Sequence, residues 1–290
     1  MNDSTYAEVI ANNCRPLEPI ETNVRPVISK VDDIRAMLFD VYGTLLVSAS
    51  GDIGADDGDQ RIHALEKTCA RLRIQLMHSA ADSICSLENA ISRAHAASKA
   101  RDIKYPEVDI VSLWQEVLGE VATTSTDEID FGRFALEYEV RANPVWPMPQ
   151  ADLTLKQLGN QGLILGIVSN AQFFTPLLFE SLLGKSLIDF GFTPNLLYFS
   201  YEHLQAKPGS VLYQMAKDQL ALQGISAEQV LYVGNDLLND VMAAASVGFR
   251  TALFAGDQRS LRWRSGDARV EGIQPDVVIT HLPQLLDCLN

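Results

Sequence analysis

LFDVYGTLL, residues 38–46, closes the apolar run AMLF on Asp40 and then turns at Gly43 and Thr44. Glycine tolerates a sharp turn, so a carboxylate is presented at a strand end. Taken alone, an Asp before a glycine turn is more often an Asx-turn than a nucleophile. The rest of the chain changes that balance. Four more runs of the same kind follow: LILGIV before Ser169, LLYF before Ser200, VLYV before Gly234 and TALF before Ala255. VVI at 277–279 adds a sixth. Each is continuously apolar and ends in small or polar residues, the signature of a strand buried on both faces of a parallel sheet.

Helix-period segments at 175–183, 210–222 and 240–247 alternate with the later runs, so the expected fold class is α/β, a doubly wound, Rossmann-like parallel sheet. Ligands in such sheets sit beyond the carboxyl ends of the strands, where all these polar residues fall. Residues 48–149 differ. They carry helical periodicity at 61–73, 81–100, 108–121 and 128–142 with no convincing strand, and read as an all-helical cap inserted into the core. The Gly/Asp-rich GDIGADDGD at the start of this insert and NPVWPMP at its end read as hinge crossings. The expected organisation is therefore an extension at 1–30, a core at 31–47 and 150–290, and a cap at 48–149. Pro16, Pro19 and Pro26 among polar residues mark the extension as an extended or poorly ordered arm.

Three further motifs carry chemistry. Ser169 and Asn170 end the second core run, where a hydroxyl and neighbouring amides can hold an anionic oxygen. Lys207 precedes Pro208, which favours an extended lysine followed by a helix. Asp236 and Asp240 follow the VLYV run four residues apart, a spacing that sets both carboxylates on one side of a helix start; paired there they suit a Mg²⁺ site, and without the other motifs they read as helix-capping acids. Arg259, Arg262 and Arg264 cluster after the fifth run and read more simply as a solvated helix face than as anion ligands.

The 290 residues carry a net charge of -14, which repels nucleic-acid phosphates and anionic lipid. A phosphorylated substrate then needs a local cation or a metal ion. Cys14, Cys69, Cys85 and Cys288 form no C-x-x-C pair, and no segment resembles a secretion signal or a membrane span, so a cytoplasmic protein with reduced thiols is expected.

In this order, each at a strand end, the motifs resemble those of the haloacid dehalogenase superfamily across residues 38–254. The resemblance implies that Asp40 is the nucleophile, that Ser169 binds the transferring group and that Lys207 offsets negative charge. Tyr42 and Asn170 would face the substrate. Asp40, the Tyr42 carbonyl, Asp236 and Asp240 would hold or orient Mg²⁺. Two departures pull in opposite directions. Phosphatases of that family usually place an acid two residues after the nucleophile, where this chain has Tyr42, as its 2-haloacid dehalogenases do. Asn235 stands where many of the phosphatases have their first metal-binding Asp, although Asp236 follows directly. The weight given to Asp236 favours a Mg²⁺-dependent phosphohydrolase acting through an aspartyl-phosphate on a small phosphorylated metabolite. A metal-free 2-haloacid dehalogenase and a non-catalytic binding protein are the alternatives.

Overall fold

The computed structural model describes residues 3–50 and 58–289. In chain order its elements are α1 (Asp3–Asn13), β1 (Ala36–Phe39), β2 (Leu46–Ser48), α2 (Gly58–Leu72), α3 (Ala80–Lys99), α4 (Ile110–Val121), α5 (Phe131–Ala142), β3 (Val145–Pro147), α6 (Ala151–Asn160) and β4 (Ile164–Ser169). There follow α7 (Thr175–Leu183), β5 (Phe192–Phe199), α8 (Ser200–His203), α9 (Val211–Ala221), β6 (Val230–Gly234), a π-helical turn (Leu237–Met242), α10 (Ala243–Ser246), β7 (Arg250–Phe254), β8 (Val277–Ile279) and α11 (Gln284–Asp287).

Six of the strands form one parallel sheet in the order β5-β4-β1-β6-β7-β8, so the doubly wound α/β core is present and all six apolar runs are strands. β1 is buried along its whole length between β4 and β6. Phe39 is in register with Ile167 on one side and Val233 on the other, so the chain leaves three adjacent strands at nearly one level. The strand order reverses there, which opens a crevice above the carboxyl ends.

α2 to α5 make the helical insert, with its own core around Trp114, whose ring meets Phe134 and Tyr138 edge-on at 4.9 and 5.0 Å. Asp109 and Asp130 cap α4 and α5 by accepting backbone N–H bonds, which starts each helix where a polar residue precedes an apolar stripe. The crossings differ from the expectation of two strandless hinges. β2 and β3 pair antiparallel, Val47 opposite Trp146, because both flanks of the insert alternate short apolar residues that meet as they leave the core. The Gly/Asp-rich hinge expectation falls mostly on 51–57, outside the described residues. A further attachment joins insert to core: Ala206 N donates to Tyr105 O at 2.8 Å, and Gln172 Nε2 donates to Val108 O at 2.9 Å.

Residues 3–13 are helical, within a segment whose composition suggests an extended or poorly ordered arm. α1 packs on α5 and α7, burying Val9, Ile10 and Cys14 in the main core, so two adjacent apolar residues anchor a segment whose average composition is polar. Residues 14–30 are extended but tied down, with Val27 bridged to Val278 and the Thr22 hydroxyl donating to Ala255 O at 2.6 Å. Among the described residues no helix is long and apolar enough to cross a membrane.

Candidate active site

Asp40 leaves β1 with its backbone N–H donating to Val233 O at 2.9 Å, which fixes the carboxylate over the β1–β6 boundary. Ser169, the last residue of β4, donates its hydroxyl to Asp40 Oδ1 at 2.9 Å. Lys207 arrives from the segment after α8 and is almost fully buried, with Nζ at 2.6 Å from both Asp40 Oδ1 and Asp240 Oδ1. Burial penalises its ammonium, but Asp240 and Asp40 outweigh that cost and hold its pKa well above the ordinary lysine value. Burial pushes the Asp240 carboxyl upward even against the pull of Lys207. One cation therefore serves two carboxylates.

Asn170 lines the same recess, yet its carboxamide is engaged with the lysine segment: Oδ1 accepts from Lys207 N at 2.7 Å and Nδ2 donates to Lys207 O at 3.3 Å. It positions Lys207. The Lys207–Pro208 peptide is cis, and the following helix starts at Val211 instead of at the proline. The side chain of Tyr42 is buried, its hydroxyl 2.9 Å from Thr175 Oγ1, and burial raises its pKa far above the ordinary phenol value. A phenol held that tightly to its proton is a weak acid for a leaving group.

The pairing expected of Asp236 and Asp240 is not that of two free ligands. Asp236 caps the π-helical turn, accepting from Leu238 N at 2.8 Å and Asn239 N at 3.1 Å, and Arg264 Nε stands 3.0 Å from each of its oxygens. Asp240 Oδ2 accepts from Asp236 N at 2.9 Å. Gly234 permits this fold-back, since a Cβ there would lie 2.3 Å from the Asp240 carboxyl carbon. Asn235 bonds across the recess, accepting from the Thr44 hydroxyl at 3.1 Å and donating to Ser260 O at 2.6 Å. Asp40 Oδ2 has no hydrogen-bond partner among the described residues, and among them no three acidic, His or Cys side chains converge as a metal cage.

Three site residues escaped the sequence reading. Tyr232, inside VLYV, accepts from Lys207 Nζ at 3.2 Å; as a strand residue in an apolar run it gave no signal. Its ring packs edge-on against that of Tyr213 at 5.0 Å. Ser260 and Arg262 line the recess with Asp40, although their segment read as a solvated helix face.

A second, larger cavity lies between the insert and the segment after β4, about 190 Å³ against about 30 Å³ for the recess. Arg61, His95, Tyr138, Glu139, Gln172 and Phe174 line it. Burial pushes the Glu139 carboxyl up to about 7, against a downward pull from the Asn143 carboxamide and Arg61.

The sequence from 34 to 248 matches the family model of the haloacid dehalogenase-like hydrolases, and the chain belongs to that family. Its relatives include phosphoglycolate phosphatase from Escherichia coli strain K12, 26% identical over 91% of this chain and 95% of the relative. Ribulose-1,5-bisphosphate 5-phosphatase from Halopiger xanaduensis is 31% identical over 49% of this chain, and the match spans only 56% of that protein's length. The structure is similar in fold to 2-haloacid dehalogenase from Pseudomonas syringae pv. Tomato DC3000, with a TM-score of 0.57 at 20% identity over 88% and 97% of the two chains.

Proposed function

We propose that this hydrolase is a phosphohydrolase of small phosphorylated metabolites that uses Asp40 as its nucleophile. The observation that carries the reading is the asymmetry of that carboxylate: Oδ1 is held by Ser169 and Lys207, while Oδ2 is left without a partner. An oriented, partly neutralised carboxylate with one open oxygen is an activated nucleophile. Oδ2 attacks phosphorus to form an aspartyl-phosphate, the bond from phosphorus to the ester oxygen breaks, and the leaving oxygen carries off the electron pair and takes its proton from water. Water then attacks phosphorus, releasing inorganic phosphate and regenerating Asp40. Lys207 and the Ser169 hydroxyl offset the charge that builds on the phosphoryl oxygens. The relatives named for phosphoglycolate and ribulose bisphosphate support small anionic esters as the substrate class.

Mg²⁺ suits the donors that remain, in a revised set. Asp236 and Asp240 are engaged elsewhere and Asp40 Oδ2 is the attacking oxygen, so Asp40 Oδ1, the Tyr42 carbonyl and Asn235 Oδ1 are the oxygens that would face the ion. Mg²⁺ commonly takes one or two carboxylates, waters and substrate phosphate in place of an all-protein cage, so one carboxylate with two neutral oxygens is a sufficient, weaker site. When bound, the ion would neutralise phosphoryl oxygens. The proposed helical cap closes over the recess, with its cavity receiving the body of the substrate.

The test is phosphate release from phosphoglycolate and an aryl phosphate, and halide release from 2-chloropropionate, each with Mg²⁺ and with chelator. Mg²⁺-dependent phosphate release that is lost in folded Asp40→Asn is the expected result. Chelator-insensitive halide release would assign the same nucleophile to dehalogenation, the reading that the missing acid at Tyr42 favours.

A further inference from the structure

The segment after β7, residues 256–264, contributes nothing to the reaction as described so far, yet it forms one wall of the recess. Its backbone is clipped to the residues after β6: Arg262 N donates to Asn235 O at 3.0 Å, and Leu237 N donates to Arg262 O at 2.9 Å. The buried Asp257 ties the other end, accepting from Ile20 N at 3.0 Å and from Arg259 Nε at 3.2 Å. The loop is thus a fixed wall, braced by the N-terminal arm.

Two side chains on this wall are left over. Ser260 is fully buried and its Oγ has no hydrogen-bond partner among the described residues. Leaving a hydroxyl unpaired in a buried place is costly, so such an atom needs an explanation. It rests over the turn that follows the nucleophile: a Cβ on Gly43, at φ +81, would lie 2.7 Å from Ser260 Oγ. The second is Arg262. Its neighbours Arg259 and Arg264 are neutralised by Asp257 and Asp236. Arg262 lines the recess and donates only to the carbonyls of Arg259 and Leu261, at 2.5 and 3.2 Å, with no carboxylate partner among the described residues. Those two bonds come from one nitrogen of a guanidinium with five donors, so donors remain for an anion.

Resting on the phosphohydrolase reading, we infer that Ser260 and Arg262 are substrate-binding residues that grip the phosphoryl oxygens. The arrangement also answers a charge problem. Asn235 gives the recess one carboxylate fewer for a metal ion, and Arg262 supplies, as a fixed cation, part of the positive charge that a dianionic phosphate needs.

Inorganic phosphate is the probe, because its binding does not depend on turnover. Calorimetric titration of the full chain and its variants, with Mg²⁺ and with chelator, is paired with KM and kcat on an aryl phosphate and with thermal melting as a folding control. A lost charge-assisted bond weakens binding by roughly 10- to 100-fold, the effect expected of Arg262→Gln. Arg262→Lys should fall between, and Ser260→Ala should weaken binding by about 3- to 10-fold. Arg269→Gln removes the same charge from an exposed pair outside the recess and should change binding less than about twofold. Wild-type affinity for phosphate in Arg262→Gln and Ser260→Ala overturns the inference, as does wild-type protein that binds no phosphate. Phosphate binding that depends on Arg262, in a protein that turns over no phosphate ester, would keep the anion site and overturn the phosphohydrolase reading alone.

Discussion

The recess around Asp40 and the cavity beneath the helical insert meet along residues 170–174, with Asn170 lining the first and Gln172 and Phe174 the second. They are wired in opposite ways. In the recess the charged centre is densely bonded, with Lys207 alone joining two carboxylates and a phenol, while Asp40 Oδ2 and Ser260 Oγ stand open beside it. In the cavity apolar surface lies among polar groups that are mostly paired one to one, such as Arg61 with Tyr138 and Gln172 with the Val108 carbonyl, and His95 Nε2 is buried without a partner among the described residues. A dense network fixes atoms for bond making, at a high cost for any missing member. A mostly apolar cavity with separate polar groups tolerates different occupants and discriminates by shape and charge. Substitutions in the bonded centre of the first should therefore act on kcat and stability, those in its Arg262 wall on anion binding, and those in the second on KM and pH.

The largest effect is expected at Lys207. Lys207→Met fills similar space but leaves Asp40 and Asp240 facing each other without a cation, and breaking a buried pair from one side costs about 3–5 kcal/mol. Turnover should fall by at least ~10³-fold, as for other lost charge-stabilising groups, and the urea midpoint should drop with it. If Lys207→Met keeps activity within tenfold of wild type, the network is not where the chemistry resides.

Tyr42 probes the boundary of the same network. Its buried, strongly bound proton makes it a poor acid, so alkyl phosphates should react roughly 10²–10⁴-fold more slowly than aryl or acyl phosphates. Tyr42→Phe should shift both rates by the same factor and leave that ratio in place. A ratio that widens on losing the hydroxyl would make Tyr42 the proton donor after all.

The two regions were also unequally legible in the sequence. Asp40, Ser169 and Lys207 could be placed together because each follows or faces a strand buried on both faces, and such strands are continuous apolar runs. What the sequence hid depends on partners far along the chain. Asp236 read as a ligand, but Arg264, 28 residues later, and the turn it caps decide its role. The four-residue spacing to Asp240 assumed a regular helix, whereas the turn is π-helical and the Asp240 side chain folds back onto the Asp236 amide. Arg262 looked solvated because charge runs on helices usually are; a backbone clip to Asn235 turned that run into a wall of the site. Similarly, the polar composition around α1 concealed Val9 and Ile10, whose burial depends on the helices they meet.

The smallest effect expected is at Glu139, and it sharpens the comparison most. Its carboxyl is pushed up to about 7 from an ordinary 4.5, first by burial, with Asn143 and Arg61 as the groups opposing the shift. The folded protein thus holds this proton more tightly than the unfolded chain does. By linkage, its contribution to stability is complete below about pH 4.5 and is lost as pH rises through about 7. Glu139→Gln keeps the shape and removes the titration, so the wild type should lose melting temperature relative to the variant between pH 5 and pH 8, by on the order of a few °C. Arg61, Tyr138, Glu107, raised by burial, and His95, lowered by burial, face the same cavity and are unchanged in the variant, so the difference between the two curves reports Glu139. If the cavity seats the body of an anionic ester, KM should also rise through pH 7 in the wild type, where Glu139 becomes charged, and stay flatter in Glu139→Gln. Parallel melting curves would mean that the carboxylate is solvated and ordinary. A stability step without a KM step would mean that Glu139 titrates as described while the substrate lies elsewhere, confining recognition to the recess and its Arg262 wall.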